Sequence, residues 1–413
     1  MTVVKQAGRA ACVGYTVHVP EPSPRLDSAS PDGAASREAP EPRRPRRGGR
    51  ARFILIALVV AIGLQAPLLW ALGRLSGHPG AFVAAAALLT GGFFTGLFNR
   101  EAMGDPSPAR LYLGLWPFFI YWTAAMFFAL LAPLAQGAAA IAAVATNTAL
   151  GVALAAAAVL TAAAFVHRTR IVRQDIAIES LPAAFEGYRI VQLSDLHCGP
   201  FASGKRVEAW VAAANRLEGD LVAVTGDLIA SGAAFVPVVA RALGALVGRD
   251  GVYACMGNHD YFTEGDAVAT ALADAGLAVL RNRGVAIERG GARLYLAGVD
   301  DTWTRRDDLD EALAGRPAGT PTVLLAHDPA LFPAAAAHGV ELTLSGHTHG
   351  GQLGVPFFAR RWNLARVMTR FASGLYRDGG STLYVNHGLG TTGVPIRMLV
   401  APEIAVLTLR RAS

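Results

Sequence analysis

Five short motifs in the C-terminal half of this chain gather side chains able to hold divalent cations. Asp195 and His197 lie in SDLH, Asp227 in TGD, and Asn258 in GNHD. His327 lies in LAHDP, and His347 and His349 in GHTH. On extended backbone, positions two apart share a face, so Asp195 and His197 can reach one ion together. A carboxylate such as Asp227 has two oxygens and can bridge two ions. Asn258 offers a neutral amide oxygen. His347 and His349 can reach different ions if their loop is tight, and Gly346, Gly350 and Gly351 permit that tightness. A mixed nitrogen and oxygen set suits Mn, Fe or Zn better than Ca or a thiolate-seeking ion. Taken alone, each residue has an ordinary structural explanation as a cap, turn or loop residue. The ordered set does not.

The elements that must place these residues are equally regular. An apolar run precedes every motif: YRIVQL, LVAV, VYAC, TVLL and ELTL. Each reads as a strand opening into a loop, and open α/β sheets collect ligands at the carboxyl edges of their strands. Residues 205–218, 235–247 and 266–275 read as helices between them. Segments 277–280, 284–289 and 293–299, with STLYVNHGLG and EIAVLTLR near the end, add further strands. That alternation predicts an α/β domain. The surplus of strands predicts two packed sheets.

The order D-x-H, G-D, G-N-H-D, a lone His and G-H-x-H resembles the calcineurin-like metallophosphoesterase superfamily, over about residues 188–409. SDLHCGP, GHTHGGQ and GLGTTGVPIR are similar to its membrane-associated bacterial branch, which includes relatives of UDP-2,3-diacylglucosamine hydrolases. The resemblance implies a four-layer α-β-β-α sandwich. It implies one metal on Asp195, His197 and His349, a second on Asn258, His327 and His347, and Asp227 bridging. His259 would steady the transition state and help protonate the leaving oxygen, and Asp260 would orient it. Two cations about 3.5–4 Å apart would clamp a phosphoryl group and supply hydroxide near neutral pH. Mn is the expected metal, with Fe or Zn as alternatives. Backbone amides of GLGTTGVPIR and the Arg397 side chain are expected to meet an anionic substrate. His387 in VNHGLG is expected to be no ligand. Cys198 is not expected to act as a nucleophile, because its neighbours are ligands rather than an activating base.

The N-terminal half is of another kind. The chain is 53% hydrophobic and 16% charged, against about 25% charged residues in soluble domains. The deficit is local: no charged residue occurs in 53–73 or in 111–166. Apolar runs at 53–75, 81–98, 111–135 and 138–166 predict four membrane spans, with three as the alternative because the second run is short and alanine-rich stretches insert weakly. Arg43, Arg44, Arg46, Arg47, Arg50 and Arg52 precede the first, and Arg168, Arg170 and Arg173 follow the last. Four spans with arginines at both outer ends predict that the N-terminus and the C-terminal domain share the cytoplasmic side of a bacterial inner membrane. The net charge of +6 is concentrated at these ends, so no nucleic-acid partner is expected. The partners expected are the lipid bilayer and a phosphoester, lipid-linked or nucleotide-linked.

The organisation expected is a Pro-rich, Arg-rich disordered tail over 1–52, a transmembrane region over 53–166, a linker over 167–187 and a catalytic domain over 188–413. Cys12, Cys198 and Cys255 fit no structural zinc spacing, and free thiols beside such a site suit a reducing compartment. Arg360, Arg361, Arg366 and Arg370, with Phe357, Phe358 and Trp362, form either a lipid-facing patch or a solvated face. The function expected is hydrolysis of a phosphodiester. The alternatives are a phosphomonoesterase, a cyclic-nucleotide phosphodiesterase, or a membrane receptor or transporter carrying a non-catalytic domain.

Overall fold

The computed structural model describes residues 47–98, 106–262, 264–354, 363 and 365–412. Most of the expected N-terminal tail, Cys12, and the aromatic and Arg360–Arg361 part of the basic patch lie outside these residues. Four helices come first: α1 (Arg47–Ser76), α2 (Pro79–Phe98), α3 (Pro108–Ile141) and α4 (Thr146–Ala164). Among the described residues, three helices are long and apolar enough to cross a membrane: α1 from Leu58, α3 and α4. The apolar stretch of α2 is shorter. Residues 138–141 finish α3 rather than begin α4, because the break falls at Ala142–Ala145. At 34 residues, α3 is about 51 Å long, well beyond a hydrocarbon core of about 30 Å. Its surplus length lets Trp116 and Phe119 reach Phe201 of the following domain, each at 5.4 Å between ring centres.

The domain after the helices contains two six-stranded mixed sheets. The first has the order β1 (Arg170–Ile178), β12 (Glu403–Arg411), β2 (Arg189–Leu193), β3 (Leu221–Thr225), β4 (Val252–Cys255) and β5 (Ala278–Val279). The second has the order β10 (Gly374–Asp378), β11 (Ser381–Val385), β9 (Leu342–Ser345), β8 (Thr322–Leu325), β7 (Ala292–Gly298) and β6 (Arg283–Arg289). Ile190, Leu221 and Leu407 of the first sheet meet Leu296, Val323 and Leu344 of the second in a fully buried central layer. Helices α5 (Gly204–Asn215), α6 (Val236–Leu243) and α7 (Gly265–Asp274) cover the outer face of the first sheet through Trp210, Val239 and Leu272. Helices α8 (Leu309–Leu313) and α9 (Phe332–Ala337) cover the second. This is the four-layer α-β-β-α sandwich. The strands of β2, β3, β8 and β9 read as continuous apolar runs because both of their faces are buried.

Residues 170–178 form a strand where a linker was expected. β1 pairs in parallel with β12 over nine residues, from Arg170 opposite Glu403 to Ile178 opposite Arg411. Its sequence hid this because β1 is an edge strand, buried only at Ile176 and Ile178. The helices and the domain also share a core. Ile396 is buried in one apolar cluster with Leu68, Phe128 and Leu150, and Val394 and Met398 pack on the same cluster. The Arg397 amide donates to the Ala164 carbonyl at the end of α4, at 2.9 Å.

Candidate metal centre

Strands β2, β3, β4, β8 and β9 stop two or three residues short of Asp195, Asp227, Asn258, His327 and His347, respectively, so all five loops open on one edge of the sandwich. Two clusters form there. Asp195, His197, Asp227 and His349 make one, and Asp227, His327 and His347 make the other, with each cluster's ligand atoms within 4.8 Å of one another. Asp227 belongs to both. His387 joins neither; its Nδ1 lies 3.3 Å from Glu403 Oε2.

The ring nitrogens point where cations would sit. His327 Nδ1 faces the Thr225 carbonyl at 2.8 Å, which turns Nε2 inward, 3.3 Å from Asp227 Oδ2 and 3.2 Å from His347 Nδ1. His197 Nε2 lies 2.9 Å from His349 Nε2 and 3.5 Å from Asp227 Oδ2. Convergent nitrogen lone pairs repel one another unless a proton or a cation stands between them. Asn258 Oδ1 is buried without a hydrogen-bond partner among the described residues. An orphaned amide oxygen costs about 1–3 kcal/mol, and a hard cation would satisfy it. The residues therefore fit two divalent metals.

Burial decides the charges. It lowers His197 to about 3 and, with the neighbouring His327, His347 to about 4. It raises Asp195 to about 6, helped by the Asp227 charge. Burial also opposes the charged forms of Asp227 and His327, but their mutual attraction wins, holding Asp227 well below and His327 well above their usual ranges. Cys198 is buried and its thiol is raised to about 11, which makes it a poor nucleophile.

The backbone is bent to make this geometry. Asp195, His197, Asp227, His347 and His349 all have positive φ, between 46° and 69°. Left-handed backbone at a non-glycine residue costs about 1–3 kcal/mol and persists only where surrounding contacts impose it. Here the neighbouring loops touch directly. A Cβ on Gly257 would fall 2.4 Å from Asp227 Oδ1, and one on Gly346 would fall 2.2 Å from Asp195 Oδ2.

Asp260 does not orient His259, as the sequence had suggested. It is buried, and its carboxylate accepts from four backbone amides: Gly257 at 2.9 Å, Asp227 at 3.1 Å, Leu228 at 2.8 Å and Ile229 at 3.3 Å. It pins the loop that presents Asp227. The His259 ring is set by the Ala230 carbonyl, 2.8 Å from Nδ1, leaving Nε2 toward the cleft and 3.5 Å from Thr392 Oγ1.

Arg397 also has a role different from the substrate contact expected. It is 3% exposed and faces away from solvent. Its guanidinium donates to the carbonyls of His387, Gly388 and Gly390, and Nη2 lies 3.1 Å from His349 Nδ1. Burial lowers it to about 10.

Asp300, Asp301 and Trp303 were overlooked in the sequence. They follow β7 at the same edge, so the strand-then-carboxylate signal was present in GVDD. Tyr261 and Arg281 both hydrogen-bond to Asp300.

A family model described as calcineurin-like phosphoesterase matches residues 188–351, which takes in every ligand candidate above. Over 257 residues the chain is 32% identical to the metallophosphoesterase YkuE of Bacillus subtilis, covering 59% of this chain and 86% of that one. The chain belongs to the calcineurin-like phosphoesterase family. A second metallophosphoesterase, from Aquifex aeolicus, is 32% identical over 249 residues, 58% of this chain and 92% of that one. A zebrafish transmembrane protein with a metallophosphoesterase domain is 35% identical over 257 residues, 59% of this chain. The match spans 58% of the zebrafish protein's own length. In this member of the calcineurin-like phosphoesterases, apolar helices precede the phosphoesterase domain and pack against two loops that leave its site.

Proposed function

We propose that this protein is a membrane-anchored, metal-dependent phosphodiesterase. The observation that carries the reading is the pair of buried clusters sharing Asp227. Asp195, His197 and His349 would hold one metal, and Asn258, His327 and His347 the other, with Asp227 common to both. When bound, two divalent ions supply a strongly acidified water and a clamp for phosphoryl oxygens. Mn suits this donor set, as do Fe and Zn.

The chain's own groups account for the remaining work. Asp260 fixes the Asp227 loop, and Arg397 braces His349 from behind. With Nδ1 hydrogen-bonded to Ala230, His259 presents Nε2 to the cleft, where it can stabilise charge and return a proton to the leaving oxygen. SDLHCGP and GLGTTGVPIR support kinship with the membrane-associated bacterial phosphodiesterases that are related to UDP-2,3-diacylglucosamine hydrolases, and hence a diester substrate. With α2 crossing beside the three longer helices, the arginines flanking the helices support a bacterial inner-membrane protein with 1–52 and 188–413 on the cytoplasmic side and 53–166 in the bilayer. The substrate would be lipid-linked or nucleotide-linked.

The test is a substrate panel on the full-length protein loaded with Mn. Hydrolysis of bis-p-nitrophenyl phosphate, much faster than of p-nitrophenyl phosphate, is expected. The reverse preference would make it a monoesterase. No hydrolysis of either, with both metals bound, would leave a non-catalytic domain.

A further inference from the structure

Two large aromatic side chains stand in the open at this site. Phe262 and Trp303 are each 59% exposed, and each packs on a different site histidine. The Phe262 ring lies 4.6 Å from that of His259, and the Trp303 ring 5.2 Å from that of His347. Among the described residues, the other exposed large apolar side chains of the phosphoesterase domain are the aliphatic Ile171, Val247 and Leu399.

Neither aromatic is on a slack loop. Phe262 ends a tight turn in which its amide donates to the His259 carbonyl at 3.0 Å. Trp303 sits on a turn closed by Thr304 N to Asp301 Oδ2 at 2.7 Å and Arg306 N to the Asp301 carbonyl at 3.0 Å. The two turns are cross-tied. Tyr261, next to Phe262, hydrogen-bonds to Asp300, and Arg306 lies 4.8 Å over the Tyr261 ring. Rings held this firmly and left uncovered keep their faces available without further ordering cost.

We infer that Phe262 and Trp303 form a subsite for a planar aromatic group carried by the substrate one ester bond from the reacting phosphorus. This rests on the phosphodiesterase reading above. A phosphoryl group lodged among His197, His259, His327 and His347 must send its substituents out past the residues that border those rings. An acyl chain needs a continuous aliphatic groove. The rim here is two separate π-faces set among Thr302, Thr304 and Arg305, which suits a flat ring that stacks and keeps its edge wet.

The test compares two diesters with the same leaving group on the Mn-loaded full-length protein: bis-p-nitrophenyl phosphate and ethyl p-nitrophenyl phosphate. Trp303→Ala is expected to raise KM for the diaryl ester about tenfold with kcat little changed, and to leave the ethyl ester within about twofold. Phe262→Ala should act in the same sense, and Trp303→Phe should restore most of the preference. A turnover-independent arm uses phenylphosphonate: it should quench Trp fluorescence in the wild type, and that change should vanish in Trp303→Phe. Equal losses on both esters, or an unchanged diaryl preference with unchanged quenching, would overturn the subsite. Failure of the wild type to cleave either ester would defeat the parent reading instead, and the phenylphosphonate arm would then decide the subsite alone.

Discussion

The replacement Asp260→Asn separates two roles for one carboxylate. In the structure Asp260 accepts four amide hydrogen bonds, two on each oxygen. Asparagine retains one acceptor oxygen and turns an NH2 toward two N–H groups that then have no partner. Each orphaned buried donor costs about 1–3 kcal/mol, so the variant should lose about 2–6 kcal/mol. For a domain of this size that is a fall in melting temperature on the order of 10 °C. Asp227 N and Gly257 N are among the donors, so the shared ligand loses its anchor and metal content should fall at both positions. His259 is held by Ala230, so the pH profile of residual turnover should not move. Calorimetry, metal analysis and a pH–rate profile read these three outcomes. A variant that melts like wild type, keeps both metals and shows a displaced profile would refute the reasoning and restore Asp260 as the orienting partner of His259.

Three further outcomes follow from the same contacts. Asn258→Ala should lower bound metal from two equivalents toward one, and should leave the chelator-treated protein as stable as wild type or about 1–2 kcal/mol more stable, because a buried orphan oxygen is removed; metal analysis and melting curves check both. Arg397→Met should weaken metal binding about 10–100-fold, as loss of a ligand's outer support generally does, read by competition with a chromophoric chelator. His167, between α4 and β1, is lowered to about 4 chiefly by burial, so its neutral form is favoured in the folded state. The stability this gives is complete above about pH 6.5 and is lost as pH falls toward 4, and partial exposure holds it to about 1–2 kcal/mol; His167→Gln should flatten that part of the stability–pH curve.

The residues gathered at the candidate metal centre were legible because each follows an apolar strand, and burial on both faces leaves a plain apolar run in sequence. What was not legible depended on who touches whom. Asp260 beside His259 in GNHD suggests a dyad, yet the chain turns so that the carboxylate faces the Asp227 loop instead. Arg397 reads as an exposed anion-binding side chain in a Gly-rich loop, but its neighbours Ile396 and Met398 are drawn into the helix core, and the guanidinium follows them inward. β1 escaped notice because an edge strand needs only half an apolar pattern. The GVDD edge repeats the strand-then-carboxylate pattern of the other loops.

The five positive-φ ligand residues have one more consequence. Glycine would relieve the backbone at each of positions 195, 197, 227, 347 and 349, and at each it would also delete a side chain of the proposed metal centre. Foldedness and activity therefore pull in opposite directions at these positions. A thermostability screen scored on soluble, folded yield alone would drift toward a sturdier and inert protein, so such a selection has to be coupled to metal retention or turnover.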